Sequence, residues 1–541
     1  MKDISSTGSF IDFTLENFIY VDKTEYIPKL VKLKRVFISR PRRFGKSLTL
    51  DTIATLFETG VEPYFKGTWI YDKWTEPTYP VLRLNFLNFD KNSLEKFNNK
   101  LNSKITEFAE LNQVTTYKEK EEAEDSIDHL LEQLRLENRQ IVILIDEYDC
   151  QMTANINNET LYKQFQEKIK SFYANIKDKF AIKFLGITGV TRLKVVSIFS
   201  VGSDINDITN ASAYSQMIGF TRDEIKKYYI DYLKLASSYE NNCSVDDVTD
   251  TQLESMLDMM AQNYDGYCFD EDYEKKVFST WSVNKFFQTM IEKKKVQFGE
   301  YWYDNGGLPS ILVNYLKTHE LNIFEYLDKD KFLKVSSDDF KNPTALTTIN
   351  QNVLMCQTGY LTLRSDLNKT STVALGIPNG EIYKALNRLL ANNIFKGNTD
   401  ITDDYGRSLL EVGTVDDIIN LFNSALNSVS YDNYPIVTES SVQNMLKLYL
   451  LGAHQEVLSE VHEAKCRADL VVNTDNRRIV FEFKYAKNEA EAKSKLSEAV
   501  EQIKTRDYGN ILPKKNELIR IAAVFNADPK VRAFTENQIV P

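Results

Sequence analysis

The chain has 541 residues, of which 43% are hydrophobic and 12% aromatic, and its formal net charge at pH 7 is −11. This composition is typical of a folded globular protein, and a prior of about 150 residues per domain predicts three or four domains. The acidic balance argues against a protein that coats nucleic acid non-specifically, because such binding depends on neutralising phosphates.

The sequence gives no signal for a membrane span or a thiol-based site. No apolar run approaches the ~18 residues that cross a bilayer, and the first residues lack the basic and apolar regions of a signal peptide. The five cysteines form no CxxC pair and the four histidines form no HExxH motif, a pattern typical of neither a disulfide framework nor a zinc site. We therefore expect a cytoplasmic protein without membrane contact, in which any metal has oxygen ligands.

A phosphate-binding loop is predicted within residues 37–48. A short apolar strand precedes it, and Gly45-Lys46-Ser47 opens a helix. In such a loop, backbone N–H groups and the helix N-terminus hold phosphate oxygens, the lysine reaches the outer phosphates and the hydroxyl ligates magnesium. Arg40 stands where the first glycine of the motif is usually found. The predicted nucleotide-binding residues here are Arg40, Pro41, Arg42, Arg43, Phe44, Gly45, Lys46 and Ser47.

The same loop lies in a basic segment of the chain. No acidic residue falls between positions 32 and 46, and seven basic residues do, namely Lys32, Lys34, Arg35, Arg40, Arg42, Arg43 and Lys46. The preferred interpretation is that they serve the phosphates of the nucleotide, since charge runs are usually local features. A contact with DNA is the second interpretation.

A second apolar strand, residues 141–145, ends in Asp146-Glu147. A buried parallel strand whose carboxyl end faces a ligand crevice has this pattern. We expect Asp146 to bind magnesium together with Ser47, and Glu147 to polarise the attacking water. An ordinary buried strand followed by a solvated acidic turn has the same pattern, but the upstream Gly45-Lys46-Ser47 favours an ATPase.

Three regions follow from the pattern of elements. Residues 1–225 alternate apolar strands with amphipathic stretches and predict an α/β domain with a parallel sheet. Residues 226–425 are mostly helical in pattern, beginning near Thr221, which is expected to cap a helix. They show no catalytic constellation, and their aromatic clusters, such as Tyr301-Trp302-Tyr303, are expected to be core. Residues 426–541 form the last predicted domain.

A hairpin is predicted in this last domain, across residues 467–485. Its turn is rich in Asn and Asp, and both flanks are apolar and β-branched. Alternation along the second strand places Glu482 and Lys484 on one face and the neighbouring phenylalanines on the other. Asp469, on the first strand, can join the two as a second metal carboxylate.

These three residues suit hydrolysis of a phosphodiester, because two carboxylates can bind magnesium beside a lysine that positions water. A helix-like stretch follows, from which Gln502 can point toward the metal site. A surface hairpin with an exposed Glu/Lys ladder is the alternative interpretation. Asp469 before the pair and Gln502 after it favour the metal site.

The chain resembles AAA-like ATPases, relatives of archaeal P-loop ATPases, that carry a C-terminal nuclease of the PD-(D/E)XK superfamily. The resemblance covers nearly the whole chain, and the Arg40 variant of the loop resembles the family's own. It rests on Tyr20-Val-Asp-Lys-Thr24, Ser39-Arg-Pro-Arg-Arg-Phe-Gly-Lys-Ser47, Ile145-Asp-Glu-Tyr-Asp149, Thr188-Gly-Val-Thr-Arg192, Tyr264-Asp-Gly-Tyr267, Gln357-Thr-Gly-Tyr-Leu361, Asp469 and Glu482-x-Lys484.

The resemblance implies further roles for single residues. Thr188 ends an apolar strand and is similar to the polar sensor that AAA-type strands place near the γ-phosphate. Arg192 is then a candidate for stabilising transition-state charge, within the subunit or across an oligomer interface. Strand-end polarity and a surface arginine are the alternatives. The superfamily also implies an acid on the helix before Asp469, for which the candidates are Glu439, slightly favoured, Glu456 and Glu460.

The sequence thus predicts an ATP-binding, ATP-hydrolysing protein with a magnesium-dependent nuclease domain that acts on DNA, with RNA left open. A homo-oligomer is allowed, and defence against foreign DNA is a biological setting suggested only by analogy. The alternative is a non-nucleolytic nucleotide switch whose C-terminal module binds nucleic acid or a protein partner. A switch does not need two magnesium-binding carboxylates at Asp469 and Glu482.

Overall fold

The computed structural model describes residues 1–177, 179–193, 205–304, 310–316, 319, 323–343, 345–395, 405–453, 456–463, 466–506 and 517–541. It divides the chain into two compact units. The first unit is Met1–His319 with Phe332–Ile382, and the second unit is Glu320–Lys331 with Tyr383–Pro541. The predicted division into residues 1–225, 226–425 and 426–541 stays a prediction beside this one.

The first unit is built on a parallel sheet with helices around it. Its strands are β1 (Arg35–Ser39), β2 (Val81–Asn85), β3 (Ile141–Asp146), β4 (Ile182–Gly189) and β5 (Asn206–Asp207), in the order β2-β3-β4-β1-β5. Every pairing is parallel. β3 is buried along its whole length, as a strand covered on both faces must be. The predicted parallel-sheet α/β fold is confirmed.

Helices make up most of the rest of this unit. They are α1 (Phe10–Leu15), α2 (Ile27–Leu33), α3 (Lys46–Thr59), α4 (Leu94–Leu111), α5 (Ala123–Leu136), α6 (Cys150–Ala154), α7 (Glu159–Ile176), α8 (Arg222–Tyr228), α9 (Ile230–Asn241), α10 (Asp250–Tyr264), α11 (Thr280–Lys293), α12 (Tyr301–Asp304), α13 (Ser310–Leu316), α14 (Ser337–Lys341) and α15 (Gln351–Gln357). The next helix, α16 (Gly380–Ile394), begins in this unit and continues from Tyr383 onward in the second unit. The predicted cap at Thr221 is confirmed, since its hydroxyl accepts the Glu224 N–H in a capping box before α8.

A small antiparallel sheet was not predicted in the mostly helical region. Its strands are β6 (Leu333–Ser336), β7 (Thr362–Leu363) and β8 (Thr372–Gly376), in the order β6-β8-β7. Strands of two to five residues are too short for a two-residue period to stand out in a sequence. The expected aromatic core is confirmed at Trp302, which is 1% exposed.

The second unit is a five-stranded mixed sheet with helices on both faces. Its further helices are α17 (Tyr405–Val412), α18 (Val415–Asn427), α19 (Glu439–Gly452) and α20 (Glu489–Arg506). Its strands are β9 (Glu456–Glu463), β10 (Cys466–Asn473), β11 (Arg477–Ala486), β12 (Glu517–Asn526) and β13 (Ala533–Ile539), in the order β13-β12-β11-β10-β9. Only the β11–β12 pairing is parallel among the described strands of this sheet.

The predicted hairpin is confirmed as β10 and β11, which pair antiparallel with Leu470 opposite Phe481. One face of β11 packs against α18, where the rings of Phe422 and Phe481 lie 5.3 Å apart. The other face contributes Val480 to an apolar cluster with Ile503 of α20. Alternation therefore places the even-numbered residues of β11 on the α20 side. Among the described residues, no helix combines the length and apolarity that a bilayer crossing requires.

A buried carboxylate at the start of α16 ties two segments of the first unit together. Glu381 is 2% exposed, and its carboxylate accepts hydrogen bonds from Ser282 Oγ at 2.7 Å and from Trp302 N at 2.8 Å. Burial raises the pKa of Glu381 to about 8, despite these two hydrogen bonds. The native state thus holds a proton on this group at a pH where an unfolded chain does not.

Stability should depend on pH through Glu381. Because its native pKa lies above its unfolded value, its contribution is complete below about pH 4 and is lost as pH rises through about 8. We expect the thermal unfolding midpoint of the wild type to fall between about pH 5 and 8, and Glu381→Gln to reduce that fall. The control is Glu95→Gln, on the exposed face of α4. Equal pH slopes in all three proteins would contradict this assignment.

Candidate functional site

The phosphate-binding loop joins the carboxyl end of β1 to α3. Gly45, the N-cap of α3, has a φ of 102°, a left-handed conformation that a residue with a side chain adopts only under strain. The first turn of α3 leaves backbone N–H groups without intrahelical acceptors. The loop therefore ends in a concentration of donors suited to an anion.

Two predicted side chains converge on the buried carboxylate of Asp146. Ser47 Oγ donates to Asp146 Oδ2 at 2.6 Å, and Thr188 Oγ1 donates to Asp146 Oδ1. Asp146 is only 6% exposed. They meet because β1, β3 and β4 are adjacent and parallel, so that their carboxyl ends lie at the same sheet edge. An oxygen-rich cluster of this kind offers ligands that magnesium prefers.

Lys46 and Glu147 lie beside this cluster. Lys46 Nζ donates to the carbonyl oxygens of Arg40 at 3.1 Å and Pro41 at 3.2 Å, and lies 3.7 Å from Glu147 Oε1. Burial raises the pKa of Glu147, with the Lys46 charge acting in the opposite direction. The buried ammonium thus has neutral carbonyls and one more distant carboxylate as partners, an arrangement that favours an incoming anion.

Arg40 braces the start of the loop. Its guanidinium donates to the carbonyl oxygens of Ser39 at 2.9 Å and Thr209 at 2.5 Å, and lies 4.2 Å from the centre of the Phe269 ring. Burial lowers the pKa of Arg40 to about 9. The Arg40 side chain is thus occupied by contacts with backbone carbonyls and an aromatic ring. Any contact of Arg40 with a nucleotide would therefore come from its backbone.

Arg43 and Phe44 fasten the loop to later segments of the same unit. Arg43 Nη1 donates to Tyr301 O at 3.1 Å, and the guanidinium lies 4.6 Å from the Trp281 ring centre. Phe44 is 1% exposed and meets the Tyr267 ring edge-on at 4.7 Å. A movement of the loop would therefore also shift the segments that contact it within residues 264–302.

A cavity of about 370 Å³ opens beside the loop. Several predicted residues line it, namely Arg42, Arg43, Phe44, Gly45, Lys46, Ser47 and Glu147. Its apolar wall was missed by sequence reasoning and includes Tyr20, Tyr26, Ile218, Phe220 and Trp281. Tyr20 belongs to a motif of the family resemblance, but scattered aromatic residues carry no spacing that marks a pocket. The cavity thus combines a basic end with an apolar end.

Arg192 lies three residues after the end of β4, and both its side chain and its backbone N–H already have partners. Its Nε lies 2.5 Å from Asp207 Oδ2, and its backbone N–H donates to Gln357 Oε1 at 3.2 Å. Nearby, Asp149 Oδ2 accepts the N–H of Thr191 at 2.7 Å. These contacts hold the segment after Thr188 in place on the same side of the sheet.

The second unit brings together the three residues predicted at the hairpin. Lys484 Nζ lies 2.8 Å from Glu482 Oε1, and Glu482 is fully buried. Asp469 Oδ2 accepts the Phe483 N–H at 2.8 Å. The antiparallel register, continued by one pair, sets Asp469 opposite Glu482. The two carboxylates therefore lie side by side across the hairpin.

Charges at this site shift one another's pKa. Burial raises the pKa of Asp469, against the Phe483 N–H and the Lys484 charge, which lower it. Burial alone lowers the pKa of Lys484, but its hydrogen bond to Glu482 and the surrounding carboxylates outweigh burial, and the pKa lies above its ordinary value. The ammonium is therefore charged at neutral pH beside acids that favour a cation.

The first residue of α19 reaches the same lysine. Glu439 Oε1 lies 3.4 Å from Lys484 Nζ. Gln443, one turn further along α19, bonds Asp469 through its side chain, and sequence reasoning missed it because an amide four residues after an acid carries no distinct signal. The side chains of Glu456 and Glu460, on β9, lie outside those that the structure describes. Glu439 therefore lies at the site, and Glu456 and Glu460 stay candidates.

The two carboxylates of this site are of the kind that magnesium accepts as ligands. Across the described ranges, no three histidine, cysteine, aspartate or glutamate side chains are grouped to hold a metal. Magnesium commonly binds through one or two carboxylates and retains water molecules. Asp469 and Glu482 supply that number of carboxylates without the nitrogen or sulfur ligands of a zinc site.

Comparison with known proteins gives a family match near each end of the chain. Residues 5–199 match the family described as Predicted AAA-ATPase, and residues 437–535 match the PD-(D/E)XK nuclease superfamily. A relative described as an uncharacterised protein in the vnfD 5′ region of Azotobacter chroococcum is 26% identical over 533 residues, covering 95% of this chain and 94% of the relative.

Two archaeal structures are also similar to parts of the chain. A Walker-type ATPase of Pyrococcus abyssi has 11% identity and a TM-score of 0.36, covering 67% of this chain and 94% of its own. Cdc6p of Pyrobaculum aerophilum has 11% identity and a TM-score of 0.23, covering 68% of this chain and 93% of its own.

The family matches confirm the predicted resemblance. The first region is a P-loop, AAA-ATPase-like domain. Residues 437–535 are similar to nucleases of the PD-(D/E)XK superfamily. The chain therefore joins an ATPase-like and a nuclease-like domain.

The buried Lys484–Glu482 pair should show strong coupling in stability. Lys484→Met removes the ammonium beside a buried carboxylate and should lower the free energy of unfolding by about 3 kcal/mol. Adding Glu482→Gln removes the buried charge as well and should restore much of that loss. Denaturant unfolding of the full chain in EDTA measures both effects.

The matched control is Lys495→Met, which breaks the exposed Lys495–Glu498 pair of α20 at 2.7 Å. This change should cost below about 1 kcal/mol. Equal losses from Lys484→Met and Lys495→Met, or a double variant weaker than Lys484→Met alone, would contradict the buried-pair assignment.

Proposed function

We propose that the chain binds and hydrolyses ATP in its first unit and cleaves DNA, with magnesium, in its second. The observation that carries the proposal is the meeting of Asp469, Glu482, Lys484 and Glu439 on one face of a hairpin whose region matches a nuclease superfamily. The family matches support the two types of reaction, and the geometry supports these residues as the ones that perform cleavage.

In the first unit, the loop N–H groups and the N-terminus of α3 bind the phosphates. Lys46 exchanges its two carbonyl partners for phosphate oxygens, and the apolar wall around Tyr26 and Trp281 receives the base. Ser47 and Asp146 hold magnesium, while Glu147 accepts a proton from the attacking water. Arg42 and Arg43 add positive charge at the cavity's basic end.

Thr188 and Arg192 complete this proposal. Thr188, held on Asp146, orients the γ-phosphate and the water near it. Arg192 neutralises developing charge once its ion pair with Asp207 opens, within the chain or across an interface with a second copy. The Asp207 pair keeps this charge away from the site until then.

In the second unit, Asp469 and Glu482 hold magnesium, which when bound polarises phosphate oxygens and lowers the pKa of a bound water. Lys484, charged and fixed by Glu482, positions that water and stabilises the negative charge on the phosphate. Glu439 and Gln443 orient Lys484 and Asp469 from α19. Defence against foreign DNA is the biological role that we propose for a nuclease joined to an ATPase.

A nucleotide switch without nuclease activity is the second candidate. It is favoured by one observation, that Lys484 already neutralises Glu482 at 2.8 Å and also meets Glu439. A structural ion-pair network needs no metal. Cleavage assays separate the two candidates.

For the ATPase, Lys46→Ala should abolish nucleotide binding, because the buried cation facing the phosphates is lost. Glu147→Gln should retain binding and lower hydrolysis by about 100-fold or more, since only proton acceptance is removed. Fluorescent-nucleotide titration and phosphate release measure the two effects. The control is Lys96→Ala, which changes an exposed side chain of α4. Wild-type hydrolysis by Glu147→Gln would remove Glu147 from this role.

For the nuclease, Glu482→Ala should lose magnesium-dependent cleavage of labelled duplex DNA while it retains ATP hydrolysis. Glu489→Ala, at the exposed start of α20, is the matched control and should cut normally. The same assay with labelled RNA tests the choice of nucleic acid. If Glu482→Ala cut DNA at the wild-type rate, the nuclease assignment would be wrong.

A further inference from the structure

A second cavity of the first unit lies away from the nucleotide site. It is a groove of about 600 Å³, and among the residues that the structure describes six basic ones line it against the single acid Glu76, namely Lys32, Lys34, Arg35, Lys73, Lys179 and Lys183. The whole chain carries a net charge of −11. This concentration of cations therefore runs against the charge of the protein as a whole.

The groove lies at the amino edge of the parallel sheet. Arg35 is the first residue of β1, and Ile182 is the first residue of β4. The phosphate-binding loop instead follows Ser39, at the other end of β1. A strand of five residues spans about 16 Å, so that the groove and the nucleotide cavity are separate sites on opposite edges of one sheet.

Several of these cations have no acidic partner. Lys183 pairs with Glu76 at 2.6 Å, and Lys179 pairs with Asp128. Lys32 and Lys34 are exposed and, within the described part of the chain, form no ion pair, and the same holds for Lys73. Repulsion among neighbouring cations is relieved when a polyanion lies along them.

Aromatic surface accompanies the charge. Phe180 lines the groove and is 61% exposed. Lys73 Nζ lies 4.5 Å from the ring centre of Trp69, which is 42% exposed. Exposed rings beside a row of lysines are the two features that bind single-stranded nucleic acid without sequence preference, by base stacking and by phosphate contacts.

We infer that this groove binds a strand of the DNA on which the second unit acts. The inference rests on the proposed function, which identifies DNA as the substrate. It adds a DNA-contact surface in the first unit. The cations are spread over α2, the segment 73–76 and the start of β4, so they follow an extended backbone better than a single compact phosphate. The groove cations also lie away from the loop whose residues are proposed to bind the phosphates of the nucleotide.

The test compares DNA binding by Lys32→Gln/Lys73→Gln with wild type. A fluorescent single strand of about 20 nucleotides is titrated in EDTA, so that it is not cut, between about 0.05 and 0.2 M salt. Losing two phosphate contacts should make the slope of log affinity against log salt shallower by about 1.4, and should weaken binding roughly 20-fold at 0.1 M salt. Lys96→Gln/Lys100→Gln, on α4, should bind as wild type does.

An unchanged slope and affinity in the groove variant, or no DNA binding by wild type, would overturn the inference. So would loss of binding to phosphatidylserine vesicles with DNA binding intact, which would assign the groove to an anionic membrane surface. Failure of the proposed nuclease is distinguishable. In that case wild type binds DNA in a groove-dependent way but does not cut it in magnesium, whereas a failed groove leaves cleavage and binding unchanged in the variant.

Discussion

A buried carboxylate must be given a partner, and both candidate sites are built around that constraint. In the first unit, Asp146 is satisfied by the hydroxyl of Ser47, from the first turn of α3, and by the hydroxyl of Thr188, from the neighbouring strand β4. In the second, Glu482 is satisfied by Lys484, two residues along its own strand. In each case the fold brings the partner, and the satisfied acid then fixes the positions of its neighbours.

The two solutions have different consequences for chemistry. Hydroxyls leave the negative charge of Asp146 uncompensated, so that a divalent cation adds an attraction that the protein itself does not supply. Lys484 compensates Glu482 directly, and its raised pKa keeps that compensation at neutral pH. In the proposed function the first site therefore gains a metal with its nucleotide, while the second holds a fixed cation beside the place where phosphate chemistry is proposed.

Local pattern was sufficient to predict the parallel sheet, the hairpin and the alternation of Glu482 with its phenylalanine neighbours. Long-range geometry was predictable only where two motifs indicate one site, as those of Ser47 and Asp146 do. Nothing local shows that Arg40 is buried among backbone carbonyls, or that Glu439, of three candidate acids, reaches Lys484. The β6–β8 sheet was missed because its strands are short, and the apolar wall of the nucleotide cavity because Tyr26 and Trp281 are far apart in sequence.

The most direct test of the proposed function is cleavage of supercoiled plasmid by the purified protein in magnesium, with and without ATP. We expect cleavage that disappears in EDTA, because Asp469 and Glu482 are proposed to hold magnesium. Absence of cleavage in both conditions, with ATP hydrolysis intact, would contradict the account and favour the nucleotide switch.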